Sequence, residues 1–189
     1  TDFAVLVAGT YSYLATVANG GLATNANGYD VGFFTTSACT TKLDWETELY
    51  TATTGAVVYW VRVGTVATAT DTVIYLCYGN SSVTTDQSNK TGVWNAAYKG
   101  VYHVPDGTSL TILDSTSNAN NGTLVNTPTA AAGQIDGAMA VASASTQYAT
   151  APTILGSTSA MTFSAWVKAT SFTNAYNTAT YFHTPGYFD

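Results

Sequence analysis

Asp44, Glu46 and Glu48 alternate with Leu43, Trp45, Thr47 and Leu49, so an extended segment sets three carboxylates on one side of the chain. Residues two apart on a strand lie about 7 Å apart, a spacing at which two carboxylates flank a water in inverting glycoside hydrolysis. That chemistry needs the two groups to face each other across a cleft, one of them kept protonated by its own surroundings. Neighbours on one strand share their surroundings. The sequence therefore favours a solvated strand face over a calcium site, and a calcium site over catalysis. Asp114 and Asn118, with Asn120 and Asn121 close by, gather a second set of oxygens and are candidate calcium ligands. The spacing lacks the alternating Asp and distal Glu of an EF-hand loop, and a hydrogen-bonded Asx turn is the plainer expectation. His103 and His183 stand alone in the sequence, with no Gly-x-Ser-x-Gly elbow and no recognisable pairing with a cysteine. The core or a strand edge is the expected place for His103. These residues predict no catalytic group, no cofactor and no dedicated metal site.

Cys39 and Cys77 sit in separate strand-like segments without CxxC spacing. Zinc asks for about four ligands, which two cysteines and two distant histidines do not supply. A disulfide is the expectation, with two buried thiols as the alternative. Closing such a loop contributes about 4 kcal/mol in the chain-entropy model, and a disulfide implies an oxidising compartment. Asn80-Ser81-Ser82, Asn89-Lys90-Thr91 and Asn121-Gly122-Thr123 fit the acceptor pattern for N-glycosylation, which makes Asn80, Asn89 and Asn121 candidate glycan sites. Trp94, Tyr98 and Tyr102 form one aromatic group, and Tyr176, Tyr181 and Tyr187 another. Either group is a glycan platform or, more plainly, aromatic core and cross-strand pairs.

The elements that must position these residues are strands. Short apolar or alternating runs recur at 3–7, 29–34, 43–50, 56–63, 72–78, 100–104, 137–141, 147–151 and 162–168, separated by Gly, Asn, Asp and Thr clusters. That pattern is the mark of sandwiches and barrels. Only Ser12–Val17 and Val93–Tyr98 have room for a helical turn, which excludes βαβ architecture. In 57–63 both alternating sets are largely apolar, as a central strand requires. The polar stretch 81–91 places a domain junction after it, near Ala97. The expected fold is all-β, with two jelly-roll-like β-sandwich units at residues 1–97 and 98–189, each short of strands and open to completion by a neighbour.

Composition narrows the role. Charged residues are 8 % of the chain and aromatic residues 13 %, too little charge for an ordinary soluble monomer and too many aromatics for a disordered one. The formal net charge is −6, with 5 Lys and Arg. Five scattered basic residues cannot build the phosphate-neutralising stripe of a nucleic-acid binder. No apolar run approaches the ~20 residues that span a bilayer. Thr1-Asp2-Phe3 opens directly on strand-like sequence, as expected after processing or inside a longer precursor.

Asn27-Gly28-Tyr29-Asp30-Val31-Gly32-Phe33 resembles a signature strand of an uncharacterised β-sandwich family found in bacterial, archaeal and viral surface proteins. So do Leu43–Glu48, Trp60–Val63 and Thr72–Tyr75 followed by Tyr78-Gly79-Asn80. That family has no known function and implies no catalytic residue. Gly100–His103, Asp114–Thr123, Gly133–Ala138 and Thr162–Lys168 resemble the opening blocks of a LamG-like, concanavalin A-like jelly roll. Such a jelly roll is usually about twice as long as the stretch after residue 98. The tandem implies a module on the outside of a microbe or virus.

Two roles follow as expectations. One is a structural subunit of an extracellular or surface filament or fibre, with copies of itself as partners. Phe3, Val5 and Val7 would form the donor strand lent head-to-tail to the next subunit. The alternative is a glycan-binding or adhesive module of a larger surface protein. A hydrolase built on the carboxylate row is the least favoured.

Overall fold

A computed structural model of the chain describes residues 2–104, 110–152 and 160–170. His183, Tyr176, Tyr181 and Tyr187 lie outside the described residues. The chain divides into a unit of Thr1–Gly156 and a unit of Ser157–Asp189, and the fold is all-β.

The first unit is organised by β1 (Phe3–Thr10), β2 (Gly32–Phe34), β3 (Trp45–Thr51), β4 (Ala56–Val63) and β5 (Tyr75–Cys77). β4 is the central strand of an antiparallel sheet in the order β1-β4-β3, and β2 pairs with β5. Val57, Tyr59, Val61 and Val63 point from β4 to one face, and all are buried. There Val57, Tyr59 and Val61 meet Phe33, Val31, Trp45, Leu14 and Ala23 in one apolar core. Phe33 stands edge-on to Trp45 and Tyr59, with ring centroids 6.0 and 5.2 Å away. Aromatic pairs prefer that arrangement to face-to-face stacking.

The β3–β4 turn is fixed at Gly55, where φ is +70° and a Cβ would come within 2.0 Å of the Tyr11 carbonyl oxygen. Only glycine accepts both conditions. Between Thr47 and Leu49 the β3–β4 register shifts at a bulge. The extra residue is Glu48, and the bulge returns Tyr50 to the core side, where its hydroxyl donates to Leu14 O at 2.8 Å.

Asp30, 6 % exposed, ties the loop before β2 to the end of β5. Its carboxylate accepts from Thr24 N, Thr24 Oγ1, Asn25 N and Gly79 N at 2.7–3.1 Å. Burial raises its pKa, and these donors more than offset burial, holding the carboxyl below its ordinary value. Cys39 and Cys77 are joined as a disulfide with Cα atoms 6.3 Å apart.

After β5 come the single helical turn α1 (Lys90–Val93), then β6 (Thr123–Val125), β7 (Thr129–Ala132), β8 (Gly137–Ala140) and β9 (Tyr148–Thr150). β6 pairs with β9 and β7 with β8. The junction expected near Ala97 lies inside the first compact unit, and side chains from both sides of it meet in the cluster described below. Two expected strands are corrected. The stretch 100–104 contributes only a bridge between Tyr102 and Asp114. The stretch 162–168 carries no strand assignment in the described structure.

Candidate functional site

The face of the β1-β4-β3 sheet opposite the apolar core is not a solvated carboxylate row, and that expectation is corrected for Glu46 and Glu48. Glu46 is 7 % exposed, and the Glu48 side chain 5 %. They are covered by a strap made of two limbs, residues 94–104 and 110–116. α1 starts the strap against the sheet. Asn89 N donates to Trp45 O at 2.8 Å, and Asn89 Nδ2 to Asp44 Oδ1 at 2.8 Å. Arg62 reaches Gly92 O, Asp44 and Asp2 at 3.1–3.4 Å.

The two limbs brace each other through Asp114, 4 % exposed. Its carboxylate accepts from Val101 N, Thr116 N, Thr116 Oγ1 and Asn120 N at 2.8–3.0 Å, and Ser115 N donates to Val101 O at 2.9 Å. Burial raises the Asp114 pKa, and the four donors more than offset it, so the carboxyl sits below its ordinary value. Both of its oxygens are thereby engaged by N–H and O–H groups pointing inward, the reverse of what a cation needs. Asn118 Nδ2 donates to Tyr98 O and Thr116 Oγ1. The two candidate calcium ligands thus build an Asx-type turn network.

Under the strap, His103 is set between the two glutamates. Its Nδ1 lies 3.2 Å from Glu48 Oε2 and its Nε2 3.2 Å from Glu46 Oε2. Both approaches are ion-pair contacts, and among the described residues Nε2 has no hydrogen-bond partner. Trp60 Nε1 donates to Glu48 Oε2 at 2.6 Å, Trp94 Nε1 to Glu46 Oε2 at 2.7 Å, and Ser115 Oγ to Glu46 Oε1 at 2.5 Å. The rings of Trp60 and Trp94 flank the imidazole, with centroids at 5.5 and 5.7 Å.

Burial alone would raise both carboxyl pKa values. For Glu46 the hydrogen bonds from Ser115 and Trp94 and the nearby His103 overturn burial, and the group is held low. For Glu48 burial and the charge of Glu46 prevail over Trp60 and His103, and the group is held high. Two carboxylates pushed in opposite directions are the electrostatic pattern of acid–base chemistry. The geometry does not match it, since the pair lies under protein. The imidazole nitrogens face the carboxylates themselves instead of converging with them on a shared centre. No group of metal-ligating side chains of that converging kind is found among the described residues.

Two cavities lie elsewhere, beside Trp45 and on the core side of the sheet. The larger, about 430 Å³, is lined by Tyr29, Phe34, Lys42, Tyr78, Asn80 and Gln87 among others and touches the disulfide. Lys42 reaches Gln87 O and lies 4.8 Å over the Trp45 ring.

The three sequons differ in their surroundings. Asn80 is exposed and accepts from Ser82 N at 3.0 Å. Asn89 is engaged with Asp44, and Asn121 accepts from Asp114 N at 3.0 Å. Phe3, Val5 and Val7 are in place in their own subunit, paired with Val63, Val61 and Tyr59 of β4.

The signal for the buried cluster was partly present in the sequence. Trp60 falls on the polar side of β4 and Glu46 on the polar side of β3, so their apposition follows once the hairpin is drawn. His103 and Ser115 arrive from distant segments, and no local pattern announces them. No curated protein and no solved structure matches the chain. Residues 27–120, a span that carries Glu46, Glu48, His103 and Ser115 together, match the model of a family described as a domain of unknown function, DUF2341.

Proposed function

We propose that the chain is a structural subunit of an extracellular or surface assembly, joined to its copies by added β-strands. The observation that carries this reading is the outer edge of β1. Among the described residues β1 is an edge strand that holds no charged residue and no proline from Phe3 to Thr10, and Phe3 and Leu6 are 47 % and 37 % exposed. Proteins that stay monomeric blunt such an edge with charge, proline or a bulge. The other edge of the same sheet shows that protection: β3 carries Glu46 and Glu48 and a bulge. The disulfide supports an oxidising surroundings, and the low charge supports a surface that meets other protein. Because β1 is paired along β4, its role is to accept a strand at its free edge, or to exchange with the same strand of a neighbour.

Sedimentation velocity and negative-stain imaging test the reading. The expected result is ordered polymers or discrete oligomers that fall apart when Leu6→Lys charges the edge. Protein that stays monomeric at high concentration, or assembly untouched by Leu6→Lys, would sink it.

The second reading is a glycan-binding or adhesive module. It is favoured by the cavity beside the disulfide, where the aromatic rings of Tyr29, Phe34 and Tyr78 stand next to the polar groups of Lys42, Asn80 and Gln87. The LamG-like resemblance of residues 98–189 points the same way. A glycan array with bound sugar lost in Tyr29→Ala would favour it.

A further inference from the structure

His103 faces a carboxylate oxygen with each of its nitrogens, both at 3.2 Å. A neutral imidazole has one N–H and one lone pair, so in the neutral form one nitrogen would turn its lone pair on a carboxylate. A carboxylate oxygen at 3.2 Å from each nitrogen favours a charged ring, that is, a cluster holding one proton more than a neutral histidine with two carboxylates. The indoles of Trp60 and Trp94 cover the imidazole within the range at which an aromatic face favours a cation.

The other charged groups nearby are already engaged. Arg62 of β4 pairs with Asp2 and with Asp44 of β3. Asp114 is held by the strap's own backbone and hydroxyl donors, and Lys99 donates to Ala96 O. Among the described residues Glu46 and Glu48 are therefore the only carboxylates in contact with the imidazole, and the extra proton belongs to these three groups. Along the strap, Trp94, His103 and Ser115 all attach to this carboxylate pair.

We propose that Glu46, His103 and Glu48 form a proton-dependent latch that holds the strap of residues 94–104 and 110–116 on the sheet and loosens as the pH rises. Loss of the extra proton to solvent leaves two buried carboxylates sharing a neutral ring. Lifting the strap relieves this by returning both to water. The raised position of Glu48 fits the same direction. A single coupled proton changes an opening equilibrium by up to about tenfold per pH unit.

Trp60 and Trp94 lie at the latch, Trp45 is buried on the other face, and Trp166 is 75 % exposed. Trp166→Phe removes the exposed indole, so that acrylamide quenching reports on the strap. Quenching is expected to rise severalfold as the pH is raised, with the far-ultraviolet circular dichroism unchanged. In the same background His103→Gln and Glu48→Gln are expected to give quenching independent of pH. Should His103→Gln fail to fold, Glu48→Gln decides, because a Gln carbonyl still accepts from Trp60. Flat quenching in the parent protein overturns the latch. So does a pH dependence that survives in Glu48→Gln, or a rise that coincides with loss of the β signal.

Discussion

The two faces of the β1-β4-β3 sheet solve burial by opposite means. On one face Val57, Tyr59 and Val61 meet Phe33 and Trp45, where contact area and shape are the whole of the attraction. On the other, Glu46, Glu48 and His103 are nearly as well covered, and they are stable there because each has a partner. Removing atoms from the first face leaves a void. Removing one group from the second leaves its former partners unmatched in a medium that penalises them.

The largest effect is expected from the apolar face. Phe33→Ala should destabilise by about 4 kcal/mol, the usual range for a buried aromatic ring, read from chemical denaturation. Glu46→Ala should cost about 3 kcal/mol, since it strands His103, Trp94 and Ser115 together. Replacing Glu46, Glu48 and His103 jointly with apolar residues of similar volume should cost far less than that single change. A joint variant as unstable as Glu46→Ala would erase the contrast between the faces.

A smaller effect separates the faces from within. Tyr59 is fully buried on the apolar side, its hydroxyl has no partner, and burial pushes its pKa up. Tyr59→Phe should leave stability unchanged or raise it by up to about 1 kcal/mol, and a clear loss would mean that the hydroxyl has a role the contacts do not reveal. Finest of all is the pH profile. The Glu46 carboxyl is held low, so its ionisation adds stability above its unfolded value, lost as pH falls through the folded one. Glu48 is held high, and its proton adds stability that is lost as pH rises through its folded value. Glu46→Gln should therefore flatten the acid limb of a stability–pH curve and leave the opposite limb in place.

Much of the apolar face was legible. The run 56–63 coincides with β4, and the runs at 43–50, 137–141 and 147–151 overlap β3, β8 and β9, because alternation and β-branched content act over neighbouring residues. β6 and β7 were not anticipated: Thr123–Val125 is too short, and Thr129–Ala132 too rich in alanine, to stand out. The polar face was misread for a different reason. Three alternating carboxylates look solvated until something covers them, and the cover comes from His103 and Ser115, more than fifty positions along the chain. Spacing along one strand carries no information about a lid supplied by another segment.

The bulge in β3 also bears on how this chain can be compared with others. Every cross-strand pair from Trp45–Val61 to Thr51–Ala56 is made without Glu48. A sequence lacking that position would keep the hairpin and its core side intact while losing one arm of the cluster. An alignment gap of one residue at this point would then record a change of chemistry on an unchanged hairpin, leaving one glutamate facing the histidine instead of two.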